Sequence, residues 1–252
     1  GVIINTALKL AEQLNLHQYP YMGIDELHLL AEIMKRAFRA RNLLADPDFA
    51  NNPIAQVTSS EYIQQLAGGI KLKKATSVEP LSQAPPAPGG HTTHFSILDK
   101  NGNAVAMTIT LNDNYGSGVV SDAFGIALNN EMDDFNARPG EPNIFGLVQG
   151  MANQVQPGKR PLSSMSPRII NSVFQVLYRV LANNLNVDEA IRTPRLHHQL
   201  TPDLLFYDRF GFVPETLAGL KSRGHAKMEP LSVGRVYAVR RRQRSGRVHV
   251  DR

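Results

Sequence analysis

Thr92-Thr93-His94-Phe95-Ser96, followed by the turn Lys100-Asn101-Gly102-Asn103 and the run Ala104 to Leu111, is the stretch on which the fold turns. Upstream, Pro85-Pro86-Ala87-Pro88-Gly89-Gly90-His91 is too rich in Pro and Gly for a helix or a central strand. Downstream, Thr93 to Leu98 and Ala104 to Leu111 are β-prone runs separated by Asn-Gly, the strongest short-range hairpin signal. A linker therefore ends where a buried strand is expected to begin, with Thr92 at the junction. A two-residue Asn101-Gly102 turn sets Thr93 opposite Thr110, whereas a three-residue loop sets Thr92 opposite Thr110, within side-chain reach. The sequence leaves both registers open.

Working outward, Val2 to Leu16 reads as an amphipathic helix with Ile4, Ala7, Leu8, Ala11 and Leu14 on one side. Asp25 is placed to cap a second helix. Its buried stripe is Leu27, Leu30, Ala31, Met34 and Phe38, and Lys35, Arg36, Arg39 and Arg41 form its wet side. A third helix follows a Thr58-x-x-Glu61 capping box and stops at Gly68-Gly69. Lys73 to Gly90 reads as an exposed linker between a helical section and a β-rich one. Beyond the hairpin, Gly125 to Leu128 reads as a short buried strand and Asn136 to Pro157 as loop. Helices are expected at Ser172 to Leu181, after Asn186-x-x-Glu189, and from Pro214 to Arg223. Val233 to Val239 and Arg247 to Val250 read as strands joined at Ser245-Gly246.

Composition narrows the function classes. With 252 residues, 42% hydrophobic and 19% charged, the chain has ample material for one core. It has no Cys, which excludes disulfides and thiol catalysis. The net charge of +5 is a property of the tail: residues 235–252 hold seven Arg and one Asp, +6, so the remainder sums to −1. With only Tyr237 available for stacking, this tail reads as a solvated edge hairpin, and no nucleic-acid partner is expected. Gly1 to Leu16 lacks the basic start and apolar core of a signal peptide, and no run approaches a membrane span.

Three groups carry candidate chemistry. Cleavage of the His91–Thr92 bond would give Thr92 a hydroxyl nucleophile and an α-amine titrating at roughly 7.7–8.0, a base suited to activating it. Threonine also simply suits strands. Glu131, Asp133 and Asp134 read either as a solvated turn or, lying between a buried strand and Phe135, as an anionic pocket wall. Ser163 and Ser164, flanked by prolines, are turn formers or a nest for a carboxylate. Adjacent His197 and His198 point different ways with no third ligand at useful spacing, and are expected to be structural rather than metal ligands.

The ordered series Thr92-Thr93-His94-Phe95-Ser96, Asp99-x-x-Gly-Asn, Thr108-x-Thr110-x-Asn112, Leu128-Asn129-Asn130-Glu131-Met132-Asp133-Asp134-Phe135, Lys159-Arg160-Pro161-Leu162-Ser163-Ser164-Met165-Ser166-Pro167 and Pro194-Arg195-x-His197-His198-Gln199 closely resembles the γ-glutamyltransferases. These are N-terminal-nucleophile hydrolases that mature by cutting themselves. The resemblance implies an α/β fold, an αββα four-layer sandwich that is incomplete here. Residues 1–91 would be the C-terminal part of the large-subunit region, ending in the linker 73–91, and residues 92–252 the small catalytic subunit. It selects the second hairpin register. It implies cleavage at His91–Thr92, attack by Thr92 with Thr110 bonded to it, and an α-amino end held by Asn112, Glu131 and Asp134. Ser163 and Ser164 would take the α-carboxylate. The donor implied is glutathione, the acceptor water or an amine, with no metal or organic cofactor. The cleaved fragments would form a heterodimer, and the compartment implied is periplasmic or secreted.

Three departures accompany the resemblance. The family carries a carboxylate-pairing arginine in a stretch upstream of the position of Gly1. Its pattern runs from a strand to Gly-Ser-Pro-Gly-Gly, whose glycine amides form the oxyanion hole, whereas here Ile170 leads straight into a helix. Its Asp-Pro-Arg near the terminus has no counterpart beyond Asp251-Arg252. Alternative readings are a catalytically impaired relative acting as a binding or assembly subunit, and a related amidase of the β-lactam acylase type.

Overall fold

The first two helices form where apolar spacing suggests, but the buried stripe of the first is shifted, with Ile4, Leu8 and Leu14 only half-buried, and the polar side of the second holds the surprise. In the computed structural model, residues 1–78, 92–138, 140–148, 150–163, 167–231, 233, 236–241 and 248–251 are described. Helix α1 (Val2–Gln13) buries Ile3, Thr6, Ala7, Leu10 and Ala11, a single stripe at helical spacing. Helix α2 (Ile24–Arg41) is buried almost all round, which corrects the expected wet side. Lys35, Arg36 and Arg41 are 3%, 8% and 2% exposed, and of the four basic residues only Arg39 faces water. The cause is Glu32, fully buried one turn earlier, which pairs with Lys35 at 3.1 Å and Arg36 at 2.7 Å. Gly23, not Asp25, caps α2; Asp25 lies in the first turn, where it meets Lys73 at 2.8 Å and Arg223 at 2.5 Å.

Helices α3 (Ile54–Val57) and α4 (Ser60–Gly68) follow. The cap of α4 is Ser59, whose hydroxyl accepts from the Tyr62 amide at 3.2 Å. Thr58, the expected cap, instead donates its hydroxyl to the Ile54 carbonyl at 2.7 Å. The first part of the expected exposed linker is pinned rather than free. Ala75 N–H donates to the Arg223 carbonyl (2.6 Å), the Thr76 hydroxyl to Glu32 (2.6 Å) and Val78 N–H to Asp203 (3.1 Å). Residues 79–91, including His91, lie outside the described residues.

Strands β1 (Thr92–Leu98) and β2 (Ala104–Thr110) pair antiparallel with Thr92 opposite Thr110 and Leu98 opposite Ala104. Asp99 and Asn103 close the ladder (2.9 Å), leaving a three-residue loop in which Gly102 takes φ 90°. The expected burial fails. Ile97, Val105, Met107 and Ile109 are each about half exposed, because a two-stranded ribbon is too narrow to cover its own faces. The same applies to β3 (Val120–Ser121) with β4 (Ile126–Ala127), where Ile126 is also exposed.

Helix α5 (Pro167–Leu181) starts where the sequence departs from the family pattern, and α6 (Val187–Arg192) carries the Asn186/Glu189 capping box in full. A three-stranded sheet orders β5 (Leu196–His197), β6 (Leu205–Asp208) and β7 (Met228–Leu231), with α7 (Pro214–Ser222) as the crossover between parallel β6 and β7. The Arg-rich tail pairs as β8 (Ala238–Arg241) and β9 (Val248–Asp251), so the strand expected from Val233 begins at Ala238; its turn lies outside the described residues. His197 meets the Asn171 amide at 2.8 Å and His198 meets Asp203 at 3.1 Å. One apolar cluster joins α1 and α2 to Phe174, Tyr178, Leu196, Leu205 and Leu220, so residues on both sides of His91–Thr92 share a core. The chain is α/β, its strands in four small sheets among the described residues.

Candidate active site

The end of β2 organises the site. Thr110, opposite Thr92 across the hairpin, accepts a hydrogen bond on its hydroxyl from the Asn112 amide at 3.0 Å. Asn112 sits at φ 75°, a left-handed conformation that Asn tolerates at modest cost. That twist turns its buried side chain back onto the Asn130 carbonyl at 3.2 Å. Asn130 in turn accepts from Asp113 N–H (2.9 Å) and donates to the Leu111 carbonyl (3.2 Å). These bonds hold the 3₁₀ turn Glu131–Asp134 against the strand that faces Thr92.

Glu131 and Asp134 are hydrogen-bonded to each other, and Asp134 is fully buried. Burial, reinforced by the Asp134 carboxylate, pushes Glu131 up to about 7. With Asp134 beside it, Glu131 keeps its proton to higher pH than a free carboxylate. A buried cation that no local sequence signal marks lies beside this turn: Arg41, at the C-terminal end of α2. Burial lowers it to about 10 while Asp134 pulls the other way, so it stays charged at neutral pH. Its Nη2 donates to the carbonyls of Leu162 (3.2 Å) and Ser163 (3.0 Å). Asn153, also fully buried, donates to the Asp134 carbonyl (2.7 Å) and accepts from Leu162 N–H (2.9 Å).

A surface clamp completes the arrangement. Arg160 meets Asp46 through its amide (2.8 Å), Nε (3.0 Å) and Nη2 (2.6 Å), and also pairs with Asp48. The structure thus gathers Thr110, Asn112, Glu131 and Asp134 at the end of the hairpin and ties the Ser163 backbone to them. The Ser163 residue is exposed, while Ser164 and His91 lie outside the described residues. Local pattern gave no signal for Arg41 or Asn153, whose partners are distant in sequence. Among the described residues no group of three metal-ligating side chains is assembled.

The family model for gamma-glutamyltranspeptidase matches residues 1–251. The chain belongs to this family. The glutathione hydrolase proenzyme of Escherichia coli K12 is 40% identical over 246 residues, covering 89% of this chain and 42% of that relative. The gamma-glutamyltranspeptidase of Pseudomonas nitroreducens, solved in complex with L-DON, superposes with a TM-score of 0.57 at 40% identity, covering 62% of this chain and 92% of the other. A cephalosporin acylase from Bacillus halodurans shares the fold alone, with a TM-score of 0.67 at 20% identity over 91% of this chain and 42% of its own. The chain spans less than half the length of the curated relatives it matches. As a gamma-glutamyltranspeptidase-family chain it has the α/β character expected of its N-terminal-nucleophile relatives. No helix among the described residues is long and apolar enough to cross a membrane.

Proposed function

We propose that this chain supplies the nucleophile and most of the amino-acid subsite of a γ-glutamyl transfer enzyme acting on glutathione-like donors. The observation that carries the reading is the register of Thr92 opposite Thr110, at the strand end to which the acidic Glu131–Asp134 turn is bonded. Cleavage at His91–Thr92 yields fragments 1–91 and 92–252, held as a heterodimer by the shared apolar core. The freed α-amine takes the Thr92 hydroxyl proton as the oxygen attacks the γ-glutamyl carbonyl. The tetrahedral intermediate collapses, the leaving amine takes the proton, and a γ-glutamyl ester remains. Water or an acceptor amine then attacks that ester, releasing glutamate or the transfer product and restoring the Thr92 hydroxyl.

Asn112, Glu131 and Asp134 receive the donor's α-ammonium, and Ser163 and Ser164 its α-carboxylate. The E. coli relative's name, a glutathione hydrolase proenzyme, accords with both the donor and the cut. No metal or organic cofactor enters this scheme. A second reading, an impaired relative, is favoured by one feature: α5 begins at Pro167, directly after the serine segment, so the family's glycine amides do not follow it. Losing one oxyanion donor costs ~10²–10³ in rate. The test is turnover of a chromogenic γ-glutamyl anilide. Thr92→Ala is expected to abolish turnover and Asp134→Asn to weaken donor binding. Binding without acylation in the unmodified chain would favour the impaired reading, and an active Thr92→Ala variant would end the nucleophile assignment.

A further inference from the structure

An α-amino acid presents opposite charges only two bonds apart, so a subsite that reads both must hold its two walls at a fixed spacing. Here the walls come from different loops, the Glu131–Asp134 turn and the segment ending at Ser163; among the described residues no strand or helix spans them, and their backbones meet at a single bridge, Asn136 with Gln154. We propose that Arg41, working with Asn153, is a positioning residue that sets the spacing between the ammonium wall at Asp134 and the carboxylate wall at Ser163. The proposal rests on the γ-glutamyl reading above.

Two buried side chains bond the Leu162–Ser163 peptides. Asn153 takes the Leu162 N–H at 2.9 Å while donating to the Asp134 carbonyl at 2.7 Å, so one side-chain amide bridges the two walls. Arg41 holds the Leu162 and Ser163 carbonyls at 3.2 and 3.0 Å, and its charge lies within electrostatic reach of Asp134. Burying a guanidinium is costly unless its donors are used, and stability alone is a weak reason to retain one. Both bonds come from Nη2, whose two N–H groups are fixed in the guanidinium plane, whereas a lysine ammonium turns freely on a flexible stem and fixes the two carbonyls less rigidly. Arg41 lies before Thr92 in the chain and Asn153 after it. Fragment 1–91 would therefore contribute to the geometry of a site whose reacting groups all sit on fragment 92–252.

The test compares three anilide donors: γ-glutamyl, glutaryl (no α-ammonium) and 4-aminobutyryl (no α-carboxylate). Arg41→Lys should raise KM for the γ-glutamyl donor on the order of tenfold or more. Either single-ended donor should change little, since one anchored end has no spacing to satisfy. An equal loss on all three would mean Arg41 is merely structural and would overturn the proposal. A second measurement needs folding but no turnover. Cysteines introduced at Met132 and Gln156, both exposed in a chain with no native Cys, carry spin labels reporting on the two loops. Arg41→Met should broaden the interlabel distance distribution; an unchanged width would also overturn the proposal. If the unmodified chain turns over none of the three donors and fails to bind glutamate, the substrate reading fails, and the label distances still decide the role of Arg41.

Discussion

Glu131→Gln isolates the electrostatics of the acidic turn. Burial and Asp134 raise the Glu131 carboxyl from its ordinary 4.5 to about 7. A folded value above the unfolded one means the native state binds more protons between those pH values. Stability from this group is therefore full below about 4.5 and lost as pH rises through about 7. A rise of that size corresponds to roughly 3 kcal/mol for a fully enclosed group. Glu131 is only half-buried, and solvent screening reduces the expectation to ~1–2 kcal/mol. Urea unfolding of the native chain and of Glu131→Gln at intervals from pH 4.5 to 8 isolates the Glu131–Asp134 pair, because the titrating groups outside it are common to both. The native chain should lose ~1–2 kcal/mol relative to the variant across that range. Parallel curves would refute the claim that burial and Asp134 hold the Glu131 carboxyl above its ordinary range. The same argument predicts that a ligand's α-ammonium displaces a proton below pH 7, seen as buffer-dependent heat in calorimetry.

Two further predictions concern stability. Glu32→Gln removes the carboxylate shared by buried Lys35 and Arg36, leaving Lys35 with Asp203 at 3.4 Å and Arg36 with neutral acceptors, and thermal unfolding should show a loss of ~3 kcal/mol; a loss below about 1 kcal/mol would mean Asp203, water or rearrangement compensates. Asn186→Ala removes the capping box of α6 and should cost ~1 kcal/mol with no effect on donor binding.

What the sequence disclosed and what it hid divides along distance in the chain. The hairpin was legible because Asn101-Gly102 lies between two β-prone runs, and its register became legible only through family resemblance. The capping box of α6 was legible because its two residues are three apart. The wet side assigned to α2 failed because charge was taken for exposure. Glu32 stands three and four residues before Lys35 and Arg36, a spacing that signals pairing, but only tertiary packing decides that the set is enclosed. Arg41 and Asn153 were illegible for a stronger reason. Arg41 finds its carbonyls 121 and 122 residues away, and no local period encodes that. The β5–β6–β7 sheet was missed because strands of two to four residues show no alternation.

The central claim is that Thr92 is the nucleophile that frees itself. The most direct measurement is the intact mass of the purified full-length chain and of its Thr92→Ala variant, with peptide mapping of the new ends. The account predicts that the native chain splits into two associated pieces, one ending at His91 and one beginning at Thr92, and that Thr92→Ala stays whole. A Thr92→Ala chain cut at the same bond, or a native full-length chain that never cuts, would contradict it.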